Sequence, residues 1–276
     1  MERLSIFDIY KIGVGPSSSH TLGPWKAALQ WRLLAKELVF DEVRVHLYGS
    51  LSKTGVGHAT DVAVILGLLG YEPETINTGL ISSYVRCVRL EKKLSLYGHQ
   101  IVFDPSHQIV FHDYSHPGHP NTLRFSSLLA GQLVAEHTYF SLGGGFVRCE
   151  DQSDQANLLA ELPFPIDKGD DLLHYCEQNQ MRISEVVHAN ELQFRSEDLI
   201  QQQIHKLYTT MLECVYRGCT SSQSVLPGGL SVQRRASRLS DKLLCGQAVH
   251  DPEAWLAAVK QTRQDFVTIN QWISCF

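Results

Sequence analysis

Polar and apolar residues alternate along Glu42-Val43-Arg44-Val45-His46-Leu47-Tyr48, a period of two that predicts a strand ended by Gly49-Ser50. Upstream, Trp25, Ala28, Leu29 and Leu33 recur at helical spacing behind Pro24, so a helix is expected over residues 24–38 with proline at its start. Residues 62–70 are apolar nearly all round, which marks a buried helix. Short apolar runs at 94–97, 99–103, 108–111, 122–125 and 136–142 read as strands joined by tight turns, hence an antiparallel or mixed sheet. At 162–170 two prolines and a glycine bar regular structure, and the pattern beyond changes to helices at 171–179, 184–194, 197–217, 233–245 and from 252 onward. An α+β first part followed by an all-helical part is the expected organisation.

Composition narrows the classes. The chain has 276 residues, 43% hydrophobic and 19% charged, enough for one large or two modest cores and unlike a disordered chain. A net charge of -5 is spread along it, and the one basic cluster is the short run Gln233-Arg234-Arg235-Ala236-Ser237-Arg238, so nucleic acid is not an expected partner. No apolar stretch approaches the roughly 20 residues of a membrane span, and a soluble, cytoplasmic protein is expected. Seven scattered cysteines do not form a disulfide or zinc pattern.

Candidate chemistry gathers in three places. Gly13-Val14-Gly15-Pro16-Ser17-Ser18-Ser19-His20-Thr21-Leu22-Gly23-Pro24 brings three hydroxyls and an imidazole to a helix start, where free N–H groups favour a carboxylate or phosphate. His58 opens the apolar helix, a position that favours neutral imidazole. Ser141 precedes Gly143-Gly144-Gly145, where backbone can approach a ligand closely. The histidines 99, 107, 112, 116 and 119 do not form a metal site, because prolines 117 and 120 break the helix that such spacing would need. The three glycines lack the spacing of a dinucleotide fingerprint. Arg234, Arg235 and Arg238, like Asn190-Glu191, read as structural.

Together with Ser5-Ile6-Phe7-Asp8, Tyr48 to Asp61, Tyr139 to Phe146, Asn190-Glu191 and Leu226 to Ala236, the Gly13 segment resembles the bacterial iron–sulfur L-serine dehydratases (L-serine ammonia-lyases), in the family's own order. The resemblance implies an N-terminal mixed-sheet domain with helices over 1–160, similar to the allosteric substrate-binding domain of some phosphoglycerate dehydrogenases. A linker at 161–170 and an incomplete helical catalytic domain at 171–276 would follow. It implies deamination of L-serine to pyruvate and ammonia, with a [4Fe–4S] cluster as Lewis acid and no pyridoxal phosphate. His20, His58 and Ser141 are the implied catalytic residues, Ser141 reaching the site across the domain interface, and the choice of base among them is open. Ser17, Ser18, Ser19, Gly143 and Gly144 are the implied substrate contacts, and a homodimer is implied as well. The family's cluster cysteines fall beyond residue 276, so no metal ligand is assigned here, Cys275 included. The chain is read as truncated, with a serine-binding regulatory module, or a subunit completed by a separate polypeptide, as alternatives.

Overall fold

The alternation at residues 42–48 forms a strand whose Val43, Val45 and Leu47 are fully buried, each burial stabilising the fold by about 1.5–3 kcal/mol. The structure, a computed structural model, describes residues 4–151, 162–226, 231–244 and 249–261. These fall into two compact units: 11–151, and 4–10 together with the described residues from 162 onward. In chain order the elements are α1 (Ile6–Ile9), a π-helical turn at Ser18–Leu22, α2 (Gly23–Ala35), β1 (Glu42–Leu47), α3 (Gly49–Thr54), α4 (Thr60–Leu69) and α5 (Ile81–Glu91). Next come β2 (Lys93–Leu96), β3 (His99–Val102), α6 (Pro105–Gln108), β4 (Ile109–Phe111), β5 (Thr122–Leu129), β6 (Gln132–Gly143) and β7 (Phe146–Cys149). The helices α7 (Gly169–Asn179), α8 (Ile183–Glu191), α9 (Glu197–Thr220), α10 (Ala236–Leu243) and α11 (Pro252–Gln261) complete the described chain.

The α+β unit is built on one mixed sheet of order β2-β3-β1-β5-β6-β7. β1 runs parallel to β3 at its Glu42 end and to β4 at Val45 to Leu47, so two short strands share one of its edges while β5 pairs antiparallel along the other. Trp31 of α2 stacks on Phe125 of β5 with centroids 5.2 Å apart, fixing that helix over the sheet. α2 and α4 meet at Gly67, where a Cβ would lie 2.5 Å from the Trp25 carbonyl oxygen and 2.6 Å from Ala28 Cβ. Only glycine permits that approach.

Three details depart from the sequence pattern. Leu33 is 69% exposed, because the buried stripe of α2 runs through Trp25, Ala28, Trp31 and Ala35, and Leu33 lies on the far side of the 3.6-residue turn from Trp31. The same helix stops at Ala35 instead of 38: Lys36, Glu37 and Leu38 donate to carbonyls three residues back, tightening the chain out of α geometry. α5 had no counterpart in the sequence reading, although Ile81, Tyr84, Val85 and Val88 repeat at helical spacing and pack on the core. Among the described residues no helix is long and apolar enough to cross a membrane.

In the helical unit, Asn190 and Glu191 each clamp a distant stretch of chain. The Asn190 amide accepts from Phe164 N–H at 3.0 Å and donates to its carbonyl at 2.7 Å. Glu191, 2% exposed, accepts from Ser5 Oγ and Ile6 N–H at 2.8 Å and pairs with Arg195 at 2.8 Å. Arg195 in turn lies 4.8 Å over the Phe7 ring. Removing one partner of a buried pair strands the other, so Glu191→Ala should cost about 3 kcal/mol. Hydrogen exchange at the Ile6 amide reports it: exchange should accelerate in the variant, and unchanged protection would show that the clamp does not hold the N-terminal segment.

Candidate active site

Two histidine-bearing turns are laced together by their threonines. Thr21 Oγ1 donates to the His58 carbonyl at 2.8 Å, and Thr60 Oγ1 donates to the His20 carbonyl at 2.6 Å. Both threonines are buried, so these crossed bonds satisfy carbonyls that would otherwise be desolvated without partners. Between His58 and Thr60 the chain passes through Ala59 at φ 54°, a left-handed conformation costing a side-chain-bearing residue about 1–2 kcal/mol. The turn delivers His58 and starts α4 at the next residue. The imidazoles of His20 and His58 come to 4.9 Å between ring centroids.

Each ring is held differently. His58 Nδ1 lies 3.0 Å from the Thr54 carbonyl oxygen. A carbonyl can only accept, so Nδ1 carries a proton, and in the neutral ring the lone pair is then on Nε2. His20 sits between hydroxyls, with Nδ1 2.8 Å from Ser19 Oγ and Nε2 2.8 Å from Ser50 Oγ. Burial first, and then the neighbouring His58, push the His20 pKa below the usual 6.5, while a hydrogen bond with the Ser50 backbone opposes them. The folded state therefore binds fewer protons at His20 than the unfolded chain between the two pKa values. Stability from this group is complete above about pH 6.5 and declines as pH falls through that value. An NMR titration of the His20 ring should give a midpoint below 6.5; a midpoint above it would contradict the packing.

The serines divide their tasks. Ser17 caps the π-helical turn, its Oγ accepting from His20 N–H at 3.1 Å and its carbonyl from Thr21 and Leu22 N–H. Ser18 is exposed, and its carbonyl accepts from Gly23 N–H. Ser19 meets the His20 ring. Ser141 lies in the same unit as His20, fully buried, donating its hydroxyl to the Ser19 carbonyl at 2.8 Å. It supports the turn from beneath.

Beside the turn lies a cavity of about 190 Å³ lined by Lys11, Gly13, Val14, Gly15, Pro16, Ser17, Ser18 and Leu22. Gly143 and Gly144 are absent from that lining. Both have positive φ, at 98° and 58°, and serve the bend between β6 and β7. Gly145 makes the close approach instead, a Cβ there falling 2.7 Å from Leu22 Cδ2. Sequence reasoning passed over Lys11, Ser50, Thr54, Thr21 and Thr60. The last four lie within or beside the hydroxyl-rich segments around His20 and His58, so proximity to those histidines was the available signal.

Histidines 112, 116 and 119 have partners of their own. His112 stacks on Tyr48 at 4.5 Å and meets His46 Nδ1 at 3.0 Å; His116 faces Arg124 at 3.2 Å; His119 Nδ1 accepts from Asn121 N–H. Among the described residues no three His, Cys, Asp or Glu side chains converge as metal ligands. Of the described cysteines, Cys87 and Cys214 are exposed, Cys176 is half-buried, and Cys149 and Cys219 are buried. Burial pushes the Cys219 thiol up to about 12, the reverse of what a thiolate ligand needs. The described residues do not fit an iron–sulfur cluster. Cys245 and Cys275 lie outside them.

Residues 5–152 match the family model described as serine dehydratase beta chain. Over 280 aligned residues the chain is 35% identical to L-serine dehydratase 2 of Escherichia coli K12, covering 99% of this chain and 58% of that protein. It is 38% identical over 254 residues to L-serine dehydratase 1 of the same organism, covering 87% and 56%. With the L-serine dehydratase of Streptomyces coelicolor it shares 38% identity over 261 residues, covering 91% and 56%. The chain thus spans somewhat more than half the length of these relatives.

Proposed function

Because this chain belongs to the L-serine dehydratase family, we propose that its paired histidines serve the deamination of L-serine to pyruvate and ammonia. The observation that carries this reading is the His58 ring, whose Nδ1–H is committed to the Thr54 carbonyl so that Nε2 is the basic nitrogen. His58 is the base: Nε2 takes the α-proton of serine as the electron pair moves toward Cβ and the β-hydroxyl departs. The aminoacrylate left behind tautomerises to the imine, which water hydrolyses to pyruvate and ammonia. His20, with its lowered pKa, stays neutral beside His58 and adds no competing positive charge when that ring gains a proton. Ser17, Ser18 and Lys11 line the cavity that would take the carboxylate. Ser141 is a positioning residue, acting through the Ser19 carbonyl.

The test is pyruvate formation from L-serine by the anaerobically purified chain, with exchange of the serine α-proton in heavy water followed in parallel. Turnover or α-exchange supports the reading. Thermal stabilisation by L-serine with neither would favour a serine-binding module, which the cavity beside the turn could also serve.

A further inference from the structure

Ser50 belongs to none of the assignments above, yet the fold delivers it to His20 with care. β1 ends at Leu47, and Gly49 takes a φ of 55°, where an added Cβ would collide with the Pro120 carbonyl oxygen. Gly49 N–H donates to the Tyr114 carbonyl and Ser50 N–H to that of Pro120, at 3.0 and 2.9 Å, pinning the start of α3. From there Ser50 Oγ reaches His20 Nε2 at 2.8 Å. The other end of the same short helix holds the second imidazole: Thr54 Oγ1 donates to the Ser50 carbonyl, and the Thr54 carbonyl accepts from His58 Nδ1. One helix thus mounts both rings.

We propose that Ser50 is a positioning residue of the site, its hydroxyl holding the His20 ring at Nε2 while Ser19 Oγ holds it at Nδ1, so that the imidazole keeps its place beside His58. This rests on the reading that the paired histidines transfer protons. A hydroxyl donates and accepts equally well. With Ser19 Oγ at Nδ1 and Ser50 Oγ at Nε2, both 2.8 Å away, the ring is held at two points and its plane is fixed beside that of His58.

Ser50→Ala and Ser50→Thr in the full chain test this, with ring ¹⁵N NMR of His20 and deamination kinetics as readouts. The alanine variant should alter the His20 ring shifts, because the Nε2 contact to Ser50 Oγ is lost, and reduce kcat about 10-fold with KM nearly unchanged. Threonine, which restores the hydroxyl, should restore both. Unaltered His20 signals in a folded alanine variant, or failure of threonine to restore them, would overturn the proposal. If the unsubstituted chain forms no pyruvate, the deamination reading fails by itself, and the NMR arm still decides whether Ser50 governs His20.

Discussion

Replacement of His58 by glutamine should lower kcat for L-serine deamination by about 10³-fold, within the 10²–10⁴ range that a positioned base contributes, while KM changes little. Glutamine keeps a polar side chain of similar reach but has no group that accepts a proton near neutrality. Structural loss is expected to be small. The backbone of His58 keeps its bonds, the N–H to the Thr54 and Gly55 carbonyls and the carbonyl to Thr21 Oγ1. Only the ring bond to the Thr54 carbonyl is forfeited, worth about 1 kcal/mol. Loss of α-proton exchange in heavy water would place the defect at proton abstraction. Retention of more than a tenth of kcat by the variant would remove His58 from the role of base and leave His20 as the candidate.

The second large effect is predicted at Gly23. A methyl group there would fall within the contact radius of Ser141 Oγ and 2.9 Å from Ser141 Cβ, and neither partner can yield. Ser141 is fully buried in β6 with its hydroxyl bound to the Ser19 carbonyl, and Gly23 lies where the π-helical turn enters α2. Overpacking at so tight a contact costs about 3 kcal/mol, so Gly23→Ala should lower Tm by roughly 6–12 °C for a chain of this size. The His20 turn should be displaced along with it, which the His20 ring shifts would report. A double variant with Ser141→Gly removes the opposing Cβ and should recover most of the loss, a coupling that a double-mutant cycle measures directly. An unchanged Tm in the single variant would mean that the turn does not rest on Ser141 as described.

Much of the α+β layer was legible because its signals are local. Val43, Val45 and Leu47 announce a strand within six residues, and Ala63 to Leu68 announce a buried helix without reference to any partner. What escaped was set by distance along the chain. Leu33 looks like core on spacing alone, but the sheet meets α2 through Trp31, and only the stacking on Phe125 decides which stripe faces inward. At the site, the histidines and serines stood out by residue type, whereas their arrangement rests on bonds spanning 30 to 122 residues, from Ser50 to His20 and from Ser141 to Ser19. The proposed choice between the two rings turns on one carbonyl, that of Thr54. No motif encodes which atom a ring nitrogen will face.

The grip of Glu191 on Ile6 spans 185 residues, and this has a consequence for synthesis. At about 5–20 residues per second, the N-terminal segment emerges roughly 10–40 s before its carboxylate partner is made. During that interval the whole of 11–151 can form its own sheet, while Ile6 and Phe7 wait for Glu191 and Arg195. The helical unit is therefore closed by a segment made well before it, so an expression fragment covering 4–151 would carry an ordered sheet with an unpartnered apolar arm. A fragment starting at Lys11 would not.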